Sequence, residues 1–213
     1  MSLIKNACVL MVLSAMASTA ATVTFKSGDG TGESNNITGF NVLLYPNSLW
    51  AVDTTVGGLW VSHLDTGQGG TFIPNSNRPF ARFTERFDTP AGTADFSGSI
   101  TVWADDTATV WLNGILMKPA NFVLGAHCAA SPIGCQDATF AIFSATLLPD
   151  RPYFLDIDVY QLGGDTSGVM YSGTFSDTAG GLSINSQPTP EPSTFAMLGL
   201  GLAAAGLLSI RRR

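Results

Sequence analysis

From Ala81 to Asp177 the chain alternates apolar and polar residues in short runs. "FSGSITVWADD" places Ile100, Val102 and Ala104 on one face and Thr101 and Trp103 on the other. "TATVWLNG" sets Ala108, Val110 and Leu112 against Thr109, Trp111 and Asn113. "YFLDIDVYQ" sets Tyr153, Leu155, Ile157 and Val159 against Phe154, Asp156, Asp158 and Tyr160. A period of two belongs to a strand with one buried face, and two sheets packed together bury such faces against each other. "ARFTERFD" and "TFAIFSATL" add further strands, while Gly, Ser, Thr, Asp and Asn punctuate the runs. No long stretch has helical periodicity and no internal repeat is visible. The pattern predicts an all-β, jelly-roll-like β-sandwich of eight or more strands.

The pattern changes at both ends. Lys5, an apolar run from Ala7 to Ala17 and the small residues Ser18-Thr19-Ala20-Ala21 have the layout of a secretory signal peptide, residues 1–21. Cys8 lies too early to be a lipid-bearing cysteine, and Lys5 stands where such a signal needs an apolar residue. The other end, residues 187–213, runs uncharged from Phe195 to Ile210 and stops at Arg211, Arg212 and Arg213. As a helix the uncharged run is about 24 Å long. With Ser193 and Thr194 it reaches the lower limit of about 17 residues for a transmembrane helix. The arginines would stay on the cytoplasmic side. A single β-sandwich domain, residues 22–186, is expected between the two ends.

Charge narrows the partners. From Thr22 to Thr189 six basic side chains (Lys26, Arg78, Arg82, Arg86, Lys118, Arg151) face fifteen acidic ones, a balance of −9. Such a surface excludes nucleic acid as a partner and disfavours strongly anionic polysaccharides unless a metal intervenes. Outside the cytoplasm Cys128 and Cys135 in "HCAASPIGC" are expected to close a small disulfide loop. A metal site with His127 is the alternative, but three soft ligands without a second cluster make a poor set.

The C-terminal pattern, Pro190-Glu191-Pro192, then an apolar segment, then the terminal arginines, resembles the PEP-CTERM sorting signal. The resemblance implies an exosortase-type processing enzyme as partner and transient anchoring in the inner membrane. Release to the cell surface or matrix of a Gram-negative, exopolysaccharide-making bacterium would follow. A simple anchor is the alternative, with Pro-Glu-Pro as a stiff spacer. Separately, "SITVWADDTATVWLNG" resembles a hairpin of galactose-binding-like β-sandwiches, in which an Asp-rich turn (Asp105, Asp106) joins two strands and the second ends in Asn113-Gly114. Domains of that type often bind sugars, but fold alone does not give function.

No catalytic motif is present: neither Gly-x-Ser-x-Gly nor His-Glu-x-x-His occurs. His63 reads as a satisfied strand-end residue. Asp156 and Asp158 share one strand face about 6.7 Å apart, a spacing that permits glycoside hydrolysis without indicating it. Trp103, Trp111, Asn113, Asp156, Asp158 and Tyr160 lie opposite the aliphatic faces and form a candidate glycan surface, unless loops or the other sheet cover the rings. Trp50 and Trp60 would anchor the loop between them, and Arg78, Arg82 and Arg86 would stripe one strand face. Asp105, Asp106 and Asp165 offer oxygen ligands for a structural calcium ion, or else ordinary Asx-turn chemistry; no other cofactor is expected. The expected function is a non-catalytic, exported matrix protein associated with exopolysaccharide. A carbohydrate-binding module is the second reading and an unrecognised hydrolase the third.

Overall fold

The computed structural model describes residues 20–67, 78–122, 128, 133–163 and 166–178. The sorting tail, all but the last two residues of the expected signal peptide, His127 and Asp165 lie outside the described residues. The described residues contain no helix and eleven strands. These are β1 (Thr22–Lys26), β2 (Glu33–Asn35), β3 (Val42–Leu43), β4 (Val61–Ser62), β5 (Ala81–Asp88) and β6 (Phe96–Asp105). They continue with β7 (Thr107–Leu112), β8 (Ile115–Lys118), β9 (Ala141–Leu147), β10 (Pro152–Tyr160) and β11 (Gly168–Asp177). Two antiparallel sheets result. One has six strands, ordered β3-β4-β11-β6-β9 with β1 also paired to β11; the other has five, ordered β2-β5-β10-β7-β8.

The alternating runs fold as their period requires. Ile100, Val102, Val110, Leu155 and Ile157 are fully buried between the sheets with Phe83, Tyr171 and Phe175. Phe87 stacks on Phe25 at 4.3 Å and on Tyr153 at 5.7 Å, tying β1, β5 and β10 through their rings. The inward set of β5 is Ala81, Phe83, Glu85 and Phe87, so alternation carries a carboxyl group into the core. Tyr171 of the opposite sheet donates its hydroxyl to Glu85 Oε2 at 3.0 Å. Burial, with Glu33 and Asp29 nearby, pushes Glu85 up to about 8, although the Tyr171 bond opposes the shift.

One expectation is corrected. "SITVWADDTATVWLNG" is not a hairpin within one sheet: β6 belongs to the six-stranded sheet and β7 to the five-stranded one. Asp105 and Asp106 form the corner where the chain crosses between them. The hairpin is β7–β8, closed by Asn113 (φ 49°) and Gly114 (φ 76°), with Leu112 opposite Ile115. Two residues at positive φ match the two-residue turn that follows the twist of paired strands.

A second apolar cluster lies outside the six-stranded sheet. Met170 and Trp103 are register partners on its outer face. Trp50, Trp60, Leu44, Ala51 and Cys135 pack over them. Trp50 and Trp60 stack at 4.3 Å and so anchor the loop between them, as expected. Cys128 and Cys135 are disulfide-bonded, with Cα atoms 4.7 Å apart. Closing so short a loop stabilises by roughly 2–3 kcal/mol in the chain-entropy picture.

Candidate functional site

The outer face of the five-stranded sheet brings four of the six candidate residues together. Asp156 lies opposite both Thr84 and Trp111, and Asp158 opposite Arg82 and Thr109. Arg82 donates to Asp158 through Nε at 2.7 Å and Nη2 at 2.9 Å, a bidentate pair. That bond raises the Arg82 pKa against the opposing effect of its burial. The guanidinium also sits 5.0 Å over the Trp111 ring. Thr84 donates its hydroxyl to Asp156 Oδ1 at 2.6 Å. Tyr160 meets Phe122 edge-on at 4.9 Å, and Phe154 stays exposed. The result is a platform of half-buried rings, a half-exposed fixed cation and the partly exposed carboxylate of Asp156. Asp158 is buried on this outward face because Arg82 covers it.

Two candidates fall elsewhere. Trp103 sits on the other sheet, across the sandwich from Trp111, and is only 6% exposed. Asn113 is the turn residue, and its carboxamide oxygen accepts the Phe154 N–H at 2.8 Å, so it straps the β7–β8 turn to β10. Of the expected arginine stripe, Arg78 precedes β5 and only Arg82 and Arg86 lie on it; Arg86 pairs with Asp88 at 3.1 Å. His63 is buried beside Phe80 at 5.5 Å, and burial pulls its pKa down.

Trp103 has a different setting, missed in the sequence. On the outer face of the six-stranded sheet it lines a cavity of about 400 Å³. Ser99 and Thr101 of β6, Ile142 of β9, and Ser172 and Thr174 of β11 form the floor, and the walls are the Val52–Val56 loop and the Asp137–Phe140 segment. Phe140 lies 5.4 Å from the Trp103 ring. Asp53 shapes the loop: Oδ1 accepts the Thr55 and Val56 N–H groups at 2.9 and 3.1 Å, and Oδ2 accepts that of Gly58 at 3.0 Å. Burial alone would raise the Asp53 pKa, but these bonds and one from Ser172 outweigh it and hold the carboxyl low. The Trp103 Nε1–H is buried and finds no acceptor among the described residues. A sequence signal existed: Ile142 is outward in its run yet apolar, as is Trp103.

The sheet corner carries the third arrangement. Asp105 Oδ2 accepts from Trp50 Nε1 at 2.8 Å and from the Thr166 hydroxyl at 3.1 Å. Asp106 accepts the backbone N–H groups of Cys128 at 3.0 Å, Leu162 at 2.6 Å and Gly163 at 2.9 Å. The pair therefore pins three loops. Burial first, then the adjacent Asp106, pushes the Asp105 pKa well above the carboxylate range. Gln161, 1% exposed, donates to the Gly163 and Thr166 carbonyls, and its buried Oε1 has no partner among the described residues. Asp105 and Asp106, both buried, are the two residues of this corner that offer oxygen atoms from the expected calcium set. The sulfurs of Cys128 and Cys135 lie within 4.8 Å of Asp105, but as a disulfide they offer no thiolate.

Comparison with known proteins places one part of the chain. Residues 188–213 match the PEP-CTERM protein-sorting motif. The motif implies export, membrane anchoring before sorting, and processing by exosortase. No curated protein matches the chain. Among solved structures, a family 35 carbohydrate-binding module from Clostridium thermocellum is 12% identical, with a TM-score of 0.37, covering 73% of this chain and 98% of that one. The Podospora anserina GH26-CBM35 β-(1,4)-mannanase is 17% identical, with a TM-score of 0.33, over 80% of this chain and 29% of that one. An exo-β-1,3-galactanase from Phanerochaete chrysosporium is 13% identical, with a TM-score of 0.33, over 73% of this chain and 29% of that one. At these scores the likeness carries no argument about ligand or activity.

Proposed function

We propose that the protein is a non-catalytic, exported glycan-associated protein of the Gram-negative envelope or extracellular matrix. It is anchored in the inner membrane by its tail, and an exosortase-type enzyme then releases it to hold exopolysaccharide. The observation that carries the glycan reading is the platform on the five-stranded sheet. There Trp111, Asp156 and Tyr160 face outward together beside the exposed Phe154, with Arg82 fixed among them. Sugar C–H faces stack on rings, and sugar hydroxyls bond to carboxylates and guanidinium. The two carboxylates that could serve hydrolysis are engaged, Asp158 by Arg82 and Asp156 by Thr84. A calcium ion at the Asp105–Asp106 corner belongs to the same reading as a structural support.

A glycan array probed with the full-length protein tests the proposal. Saturable binding to a bacterial exopolysaccharide is expected. Trp111→Ala should weaken that binding at least tenfold while destabilising the fold by only about 1–2 kcal/mol, since its ring is half-buried. Absence of saturable binding to any polysaccharide overturns the glycan reading. Calcium should raise the thermal midpoint and a chelator should lower it; an unchanged midpoint in both removes the cation from the proposal.

A further inference from the structure

The cavity beside Trp103 is on the opposite sheet from the platform and is built of different chemistry. Six of its lining side chains are hydroxyls, Thr54, Thr55, Ser99, Thr101, Ser172 and Thr174. Only Ser172 has a described side-chain partner, the loop carboxylate of Asp53. For the other five no side-chain hydrogen bond is found among the described residues, which leaves their hydroxyls available to a ligand. Two rings, Trp103 and Phe140, and the apolar Ile142 form a hydrophobic patch among them, with Phe140 37% and Ile142 59% exposed. Asp137, exposed and without a described partner, stands at the wall. Among the described residues no lysine, arginine or histidine lines the cavity.

We infer that this cavity is a binding site for a neutral saccharide unit of a glycan chain. The inference rests on the glycan-binding reading above and adds a second, separate site with its own specificity. The chemistry selects the class. A pyranose ring has an apolar C–H face for Phe140 and the Trp103 edge, and a rim of hydroxyls for the unspent Ser and Thr groups and the Asp137 acceptor. About 400 Å³ lies within the range of small-molecule sites. An acidic sugar is rejected, because its carboxylate would meet Asp137 and Asp53 with no cation among the described lining residues to balance them. The site is preformed, since Asp53 holds the loop through three backbone N–H groups, so little ordering cost attends binding.

The test uses full-length protein titrated with cellohexaose, laminarihexaose and β-1,3-galactotriose, with hexagalacturonate as the acidic probe. Binding of at least one neutral probe is expected, at least tenfold tighter than hexagalacturonate. Phe140→Ala and Asp137→Asn, both at exposed positions, should each weaken it tenfold or more with an unchanged thermal midpoint. Thr101→Val, which keeps the shape and removes one hydroxyl, should weaken it severalfold. Neutral binding that is lost in Trp111→Ala but kept in Phe140→Ala overturns the cavity assignment while leaving glycan binding by the platform standing. Tighter binding of hexagalacturonate overturns the stated specificity. Failure of all four probes, alongside positive binding on the glycan array, overturns the cavity site alone; failure of both removes the glycan reading as well.

Discussion

Glu85 is a carboxyl group 2% exposed between two sheets, and its energetics follow from that position. In the unfolded chain it titrates at its ordinary value near 4.5; in the fold it is pushed up to about 8. Between those values the folded state holds a proton that the unfolded state has released, so stability falls as pH rises through this window. The contribution is complete below about pH 4.5 and gone above about pH 8, with a ceiling of about 4–5 kcal/mol from the size of the shift. Asp105 is raised as well and adds a slope of the same sign, whereas the lowered His63 acts in the opposite sense on the acid side. Glu85→Gln should therefore be compared with the parent protein by denaturant titration from pH 5 to 9. The variant keeps an acceptor for the Tyr171 hydroxyl, so its slope should be shallower and it should gain stability at pH 8. An identical slope in the two proteins would show that Glu85 does not ionise across this range. The position of Glu85 was legible, because "ARFTERFD" sets it in phase with Phe83 and Phe87. Its partner was not: Tyr171 is 86 residues away, and only sheet packing brings the hydroxyl to the carboxyl.

At the scale of elements, alternation located β5, β6, β7, β9 and β10, and the inward faces of β6, β7 and β10. It could not say which strands share a sheet. Trp103 and Trp111 read alike in sequence, each outward from an aliphatic face, yet the Asp105–Asp106 corner sends their strands to opposite sheets. Period two is a local property, while sheet membership depends on long-range pairing. The same limit explains why Asn113 read as a surface ligand when it serves a turn, and why the Trp103 cavity was missed: its walls come from segments near residues 54 and 140. Two glycines separate local from tertiary demands. At Gly114 an added Cβ meets nothing within 4 Å, so Gly114→Ala is penalised only through φ 76°, by about 1 kcal/mol. At Gly98 the Cβ would stand 2.0 Å from the Thr174 carbonyl oxygen of the paired strand. Gly98→Ala must then push β6 and β11 apart and should cost more than Gly114→Ala, about 2–4 kcal/mol. Urea unfolding of both variants checks the order, and a larger loss at Gly114 would contradict it.

At the scale of the whole molecule the chain joins an acidic domain to a basic, apolar tail, and the two demand different surroundings. The acidic surface between Thr22 and Thr189 suits water, although Asp53, Glu85, Asp105, Asp106 and Asp158 are buried, whereas the uncharged run from Phe195 to Ile210 gains by burial in lipid. Three arginines beyond that run cost too much to carry across the bilayer centre, so in the proposed reading they would fix orientation and stop transfer. A protein meant only to stay anchored needs no more than this. The tail also holds Pro190-Glu191-Pro192 within the sorting motif matched at residues 188–213, immediately outside the apolar run. A cut there would free the acidic domain from lipid in one step. Intact-mass measurement on protein from the native envelope should accordingly give a species lacking Phe195 to Arg213. Replacing Arg211, Arg212 and Arg213 together by glutamine should reduce retention in the inner membrane before that step, because both the stop and the orientation bias are lost. A full-length mass in the native host would leave the segment acting as a simple anchor, with Pro190 and Pro192 serving only to stiffen the link to the domain.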